Sequence, residues 1–256
     1  MEKVAFLNLT YNSFNQNNIW KRFFDDGDKS KFNLYIHPKI RRPSIFSNYY
    51  IDNVVPTAWG QFSLVEATIE LIKAALEDED NEYFSLVSES HFPLYDLNDT
   101  VDLIKERYTK TTFAKHFSFH TKVKSQLTFR EGIKGYKFDE YNAVCQFFVL
   151  RRKEAIKFVE TFNHWSKYFV KDKVIFADEF YFWGIAKELG LDFEMGQATT
   201  YSDWSIRKDS VGNVDRNPRA FDKISKGMVD TYRKNGYLFV RKIMPSTWVM
   251  ADPFNF

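Results

Sequence analysis

Tyr83-Phe84-Ser85-Leu86-Val87-Ser88-Glu89-Ser90-His91-Phe92-Pro93-Leu94 sets a buried-type strand directly against four polar groups and a proline. A short apolar run that ends in turn residues reads as a strand covered on both faces. Upstream, Leu64, Ala67, Leu71, Ala75 and Leu76 recur at helical spacing behind Ser63, which predicts an amphipathic helix capped by that serine. Further upstream, residues 4–9 and 32–36 are strand-like, and Pro38 stops the second. Between them Ile19, Trp20, Phe23 and Phe24 mark a helix that Gly27 ends. Downstream, Asn98 or Asp99 opens a helix holding Val101 and Ile104. Strands and helices in alternation predict an α/β fold, a mostly parallel sheet flanked by helices on both faces.

The second half is less regular. Residues 108–141 carry no clear period. Helices are expected over 152–169 and 178–189, the latter closed by Gly190. A strand near 194–201, a loop with Gly212 and Pro218, a helix over 221–234 and a last strand over 237–241 complete the chain. No repeat, low-complexity tract or linker interrupts the 256 residues, so a single domain is expected.

Composition excludes several classes. An apolar share of 44% with 27% charged residues belongs to a folded globular chain. The net charge of +2 gives no broad field for nucleic acid or a membrane surface. Aromatic residues are in excess, with 27 Phe, 14 Tyr and 6 Trp, which suggests a sheet core and a surface on which sugar rings stack. The single cysteine, Cys145, excludes an internal disulfide or a Cys-based zinc site and fits a reducing compartment. The apolar run at 4–9 is too short for a signal peptide, and no run reaches the length of a membrane span. A soluble, cytoplasmic protein is expected, in a bacterial or viral setting.

Open α/β sheets bind ligands beyond the carboxyl ends of their strands. That directs attention to residues 8–12, 37–39 and 88–91, with Asn8, Ser88, Glu89 and Ser90 as possible donor or acceptor contacts. Taken alone, 88–94 reads as a polar turn closed by Pro93.

Pro56-Thr57-Ala58-Trp59-Gly60-Gln61-Phe62-Ser63-Leu64-Val65-Glu66-Ala67, followed by 86–94, resembles the core-2/I-branching β-1,6-N-acetylglucosaminyltransferase family, particularly its plant-type branch. Further matches follow in the family's order. Cys145-Gln146-Phe147-Phe148-Val149-Leu150 is similar to its Ser-Gln-Trp-Phe segment, and Asp178-Glu179-Phe180-Tyr181-Phe182 to its Asp-Glu-x-Tyr/His-Phe motif. Tyr201-Ser202-Asp203-Trp204-Ser205, Asn217-Pro218-Arg219 and Leu238-Phe239-Val240-Arg241-Lys242 are similar to its Asp-Trp-Ser, His-Pro-Arg and Leu-Phe-Ala-Arg-Lys segments. Lys39 departs from the pattern, standing where many animal members carry an Asp for the nucleotide.

The resemblance implies a GT-A-type glycosyltransferase that inverts the anomeric centre without a divalent metal or other cofactor. Residues from about 1 to 107 would form the nucleotide-sugar-binding half, and about 108 to 256 the acceptor-binding and catalytic half. The implied donor is a UDP-sugar, most naturally UDP-N-acetylglucosamine, and the acceptor a glycan or glycoprotein hydroxyl. Xylosyltransferases are relatives, so UDP-xylose is the competing donor. A non-catalytic carbohydrate- or nucleotide-binding module is the alternative in another class, and the joint presence of Glu179, Arg219 and Lys242 argues against it.

Inverting transfer requires one carboxylate to take the acceptor proton and positive charge on the departing diphosphate. Glu179 is the candidate base. With Asp178 it heads a predicted helix, whose N-terminus would favour the ionised carboxylate. Taken alone, the two acids read as helix caps. Asp178 is expected to hold the turn. The positions matching the family's diphosphate-binding Arg and Lys are Arg219 and Lys242, though alone they read as a loop residue and part of a solvated basic end that includes Arg241. Gln146 could contact a sugar or the sheet edge, Trp204 could stack on an acceptor or sit buried, and Trp59 is expected to pack. Two Asp-x-Asp triplets exist, but Asp26-Gly27-Asp28 follows a helix and Asp78-Glu79-Asp80 precedes a strand, whereas a metal-binding pair should follow one. After the appropriate strand stands Ser88-Glu89-Ser90, with one carboxylate, so no metal site is expected. His116 and His120 lack a third ligand and read as ordinary residues.

Overall fold

The computed structural model describes residues 2–115, 144–171, 176–205, 207–208, 214–215, 217–250 and 252–254. In chain order its first elements are β1 (Lys3–Thr10), α1 (Asn17–Asp25), β2 (Phe32–Pro38), α2 (Ser63–Leu76), β3 (Asn81–Ser88), β4 (Phe92–Pro93), α3 (Leu97–Arg107) and β5 (Thr111–Phe113). There follow β6 (Val149–Arg151), α4 (Arg152–Lys171), α5 (Tyr181–Glu188), β7 (Phe193–Met195), β8 (Thr200–Ser202), β9 (Arg207–Lys208) and β10 (Val214–Asp215). The last are β11 (Phe221–Ile224), α6 (Lys226–Lys234), β12 (Phe239–Arg241) and β13 (Ile243–Val249).

The central sheet has six strands in the order β2-β1-β3-β6-β5-β7. β1 runs parallel to β2 and β3, and β5 parallel to β7. Alternation along the strands divides the core in two. Ala5 and Leu7 of β1, Phe84 and Leu86 of β3 and Leu150 of β6 pack with residues of α2, α4 and α5. Val4 and Phe6, with Tyr83, Val87 and Val149, pack on the other face with residues of α1 and α3. That second face is where much of the aromatic excess goes. Trp20 stacks on Phe14 at 4.5 Å, and the Phe6 ring meets Phe23 and Phe24 edge-on at 5.8 and 5.9 Å. The α/β expectation holds, with helices on both faces of a mostly parallel sheet.

A second sheet of three strands, β4-β12-β8, positions the site. β12 lies in its middle, antiparallel to β4 and parallel to β8. The pairs β11–β13 and β9–β10 stand apart as two-stranded sheets.

Several boundaries differ from the sequence reading. β6 runs antiparallel to both β3 and β5, so the sheet is mixed. Ser63 begins α2, but its hydroxyl accepts the Ala58 N–H at 3.0 Å rather than capping the helix. Asp96 caps α3, ahead of the expected residues, by accepting the Asp99 N–H at 2.8 Å. The strand expected over 194–201 is two strands in two different sheets. Between them lies Gly196, where a Cβ would come within 2.7 Å of Thr112 Cγ2. The helix expected over 221–234 starts only at Lys226, because Phe221–Ile224 pairs with β13 as a strand. β13 itself was not anticipated. His116 and His120 lie outside the described residues. Among the described residues no helix is long and apolar enough to cross a membrane.

Candidate active site

The carboxyl ends of β1, β2 and β3, at Thr10, Pro38 and Ser88, face the same way. The second sheet adds its own end to this edge. Val240 pairs with Phe92, which sets Arg241 against the 88–91 turn, and the Ile243 N–H donates to the Ser90 carbonyl at 2.8 Å. On the other side of β12, Arg241 pairs with Ser202. Arg241 and Lys242 therefore lie between the turn after β3 and the Asp203-Trp204 segment after β8.

The turn after β3 is internally satisfied. The Ser88 N–H donates to His91 Nδ1 at 3.0 Å, so the proton sits on Nε2, which is 3.1 Å from the Thr200 hydroxyl. Burial, with the Arg241 charge adding to it, holds this imidazole well below its usual range, and it stays neutral. The Ser88 hydroxyl lies 3.0 Å from the same Nδ1 and 3.2 Å from the Ser90 hydroxyl. Both serines are thus engaged within the turn. Glu89 reaches across it: its carboxylate accepts the Tyr11 N–H at 2.6 Å and its carbonyl the Asn15 N–H at 2.9 Å. Burial pushes the Glu89 carboxyl up, against the Tyr11 bond and the charges of Arg241 and Lys242. Glu89 fastens the Asn-rich loop after β1.

Asp178 and Glu179 sit in a 3₁₀ turn, Ala177–Glu179, ahead of α5. Three backbone bonds fix it. The Phe176 N–H donates to Gly60 at 2.8 Å, the Glu179 N–H to Phe176 at 3.0 Å, and the Val144 N–H to Glu179 at 3.0 Å. Phe176 adopts φ of 58°, a left-handed conformation that costs a residue with a side chain. Asp178 is buried, and its Oδ1 has no partner among the described residues. Burial pushes its carboxyl up to about 6, opposed by Arg241. Glu179, half-buried beside it, is pushed up to about 8, by burial first and by the Asp178 charge second. This corrects the expectation that a helix N-terminus would favour the ionised form. α5 begins only at Tyr181, and lost hydration outweighs any dipole. The correction suits the chemistry, since a base titrating near the working pH accepts a proton more readily than an ordinary carboxylate.

Arg241 is the residue that the sequence reading missed. It is half-buried rather than part of a solvated end, its guanidinium lies 5.0 Å over the Phe147 ring, and its Nε is buried without a partner among the described residues. Glu89, Asp178 and Glu179 all feel its charge. A pointer existed: it closes the buried run Leu238-Phe239-Val240, and the carboxyl end of a buried strand is where site residues stand. Gln146 is half-buried next to Phe147. Cys145 is no nucleophile, for burial pushes its thiol up to about 11.

The remaining residues divide. The Phe221 N–H donates to the Lys242 carbonyl at 3.0 Å, and the Arg219 N–H to the Asp203 carbonyl at 2.8 Å. Arg219, Lys242 and half-buried Trp204 thereby share one border of the cleft, with Arg219 exposed. Asn8 is elsewhere, fully buried on the Val4 and Phe6 side of β1, and neither atom of its amide has a partner among the described residues. His37 Nε2 accepts the Val55 N–H at 3.0 Å and holds a loop. Asp78 accepts Lys3 Nζ and Asn33 Nδ2, each at 2.8 Å, at the amino ends of the strands and opposite the cleft. Asp28 is bonded to Ser30 in the turn after α1. Trp59, expected to pack, is 76% exposed.

Acids raised by burial, facing cations at the open end of an α/β sheet, suit proton removal beside an anionic leaving group. Sugar transfer is one reaction of that kind. Residues 4–228 match the Core-2/I-branching enzyme family, and the chain belongs to that family of glycosyltransferases. It is 32% identical over 124 residues to glycosyltransferase BC10 of Oryza sativa subsp. japonica, a match covering 45% of this chain and 31% of that protein. The match thus spans about a third of the rice protein's length. Among solved structures, mouse xyloside xylosyltransferase 1 is similar with a TM-score of 0.36 at 9% identity, covering 93% of this chain and 96% of that one. Staphylococcus aureus TarS gives 0.33 at 12%, covering 61% and 29%. Likenesses this weak carry no argument.

Proposed function

We propose that this chain transfers a sugar from a UDP-sugar, most naturally N-acetylglucosamine, to a glycan hydroxyl, with inversion and without a divalent metal. The observation that carries the reading is the Asp178–Glu179 turn, where burial raises Glu179 to about 8 beside the Arg241 guanidinium. In the step proposed, Glu179 takes the acceptor hydroxyl proton as the acceptor oxygen bonds to the anomeric carbon. The bond from that carbon to the diphosphate breaks on the opposite face, and UDP leaves with the electron pair. Arg219 and Lys242 offset the charge that builds on the diphosphate, one with a planar fork and the other with a compact ammonium. Asp178 and Arg241 set the field in which Glu179 titrates. The positions of the two Asp-x-Asp triplets, one paired at the far ends of the strands and one in a turn after α1, support a metal-free step. The single cysteine, with no partner in the sequence, supports a reducing compartment such as a cytoplasm.

The test is release of UDP from UDP-N-acetylglucosamine and UDP-xylose, with and without oligosaccharide acceptors and in excess EDTA. Transfer that survives EDTA is expected, with UDP-N-acetylglucosamine the better donor. Loss in EDTA with recovery on manganese would overturn the metal-free step, and a preference for UDP-xylose would overturn the donor. No turnover of any UDP-sugar would return the chain to the non-catalytic reading.

A further inference from the structure

Trp59 presents a large apolar ring to solvent at the mouth of the acid turn. It is 76% exposed, more than any other large apolar side chain among the described residues. Its ring meets Phe176 edge-on at 5.1 Å. Phe176 accepts the Glu179 N–H and donates its own N–H to Gly60, the residue after Trp59. Exposed ring and candidate base therefore belong to two loops stitched together by backbone bonds. Phe176 keeps its left-handed backbone there despite the cost, and Gly60, at φ of 70°, supplies the bend on the other side. An indole left in water, propped by a second ring beside a candidate catalytic acid, is a flat apolar surface held at a fixed place.

We propose that Trp59 is an acceptor-side platform that stacks on the C–H face of a sugar ring adjoining the one whose hydroxyl Glu179 deprotonates. The proposal rests on the reading of Glu179 as the base and names the ligand class, an oligosaccharide longer than one ring. Sugar faces are apolar sheets of C–H bonds edged by hydroxyls, and an indole matches them in shape and in its negative face. Trp248 offers a contrast. It is 66% exposed on β13, where its strand partner is Lys223 of β11 rather than an acid.

Saturation-transfer NMR and calorimetry with chitotriose, xylotriose and lactose on the full chain would test this. The wild-type protein should bind at least one of them, and Trp59→Ala should weaken that binding about tenfold, with Trp59→Phe between the two. Trp248→Ala should bind as the wild type does. In transfer assays Trp59→Ala should raise the acceptor KM by a larger factor than it lowers kcat, which a merely structural role would not produce. Failure of the wild type to bind any of the three, or equal binding by Trp59→Ala, would overturn the platform. Donor turnover is read separately: saccharide binding that is lost in Trp59→Ala, in a protein that turns over no UDP-sugar, would keep the platform and discard Glu179 as a base.

Discussion

The acids at the two ends of the central sheet behave oppositely. Asp78, at the amino ends of the strands, accepts Lys3 and Asn33 and is held below the usual carboxylate range, chiefly by the Lys3 bond. Asp178 and Glu179, beyond the carboxyl ends, are pushed up by burial, and the opposing charge of Arg241 does not reverse it. The chemical group is the same; its surroundings are not. An acid held by a cation and an amide is finished as structure, whereas an acid that burial raises toward neutral pH remains available to a proton.

The largest expected effect is on rate. Glu179→Gln should lower transfer by about 10²–10⁴-fold, read as UDP release with acceptor present. Asp78→Asn should leave transfer near the wild-type rate. An equal loss in both would erase the difference between the two ends. Next comes pH. Transfer needs Glu179 ionised, so kcat should climb with pH toward about 8 rather than level off in the ordinary carboxylate range. Arg241→Gln removes the charge that opposes this shift, so the limb should move to higher pH, and a limb left in place would separate Arg241 from the base.

Smaller effects concern stability. Glu179 titrates higher folded than unfolded, so its ionisation costs the fold progressively from about pH 4.5 to about 8. Glu179→Gln should therefore raise the melting temperature above pH 8 and bring no gain near pH 4. Asp78 has the reverse sign. Its stabilisation is present above the unfolded value and is lost as pH falls through the folded one. At neutral pH Asp78→Asn should cost about 0.5–1 kcal/mol, since the Lys3 pair is partly solvated, and the cost should vanish in acid. A gain in the first variant at every pH would show that packing, not ionisation, was being measured.

The first half of the fold was legible because its strands are continuous apolar runs and α2 keeps a clean helical period. Residue 179 was legible as a candidate through its motif. Its ionisation was not, because an acid ahead of a helix looks stabilised until the burial supplied by distant segments is known. Arg241 was hidden for a similar reason. A basic dipeptide after a strand looks solvated, and only the pairing of β12 between β4 and β8 brings it inward. The run over 221–224 misled because its partner, β13, lies beyond the last element the pattern suggested. Trp59 misled in the other direction, since an indole beside a helix start is ordinarily packed.

The placement of β12 has a consequence for how the chain is made. During synthesis the acids at 178–179 leave the ribosome well before the guanidinium at 241 and the strand that carries it. Among the described residues β4 and β8 each have β12 as their only neighbour in that sheet, so neither has that ladder to join until it arrives. The nascent chain can complete most of its central sheet early, yet its cleft stays open and its two acids lack their compensating charge until the closing stretch threads between the waiting edges. The order of synthesis thus exposes the acids first and brings the guanidinium beside them only when β12 pairs with β4 and β8.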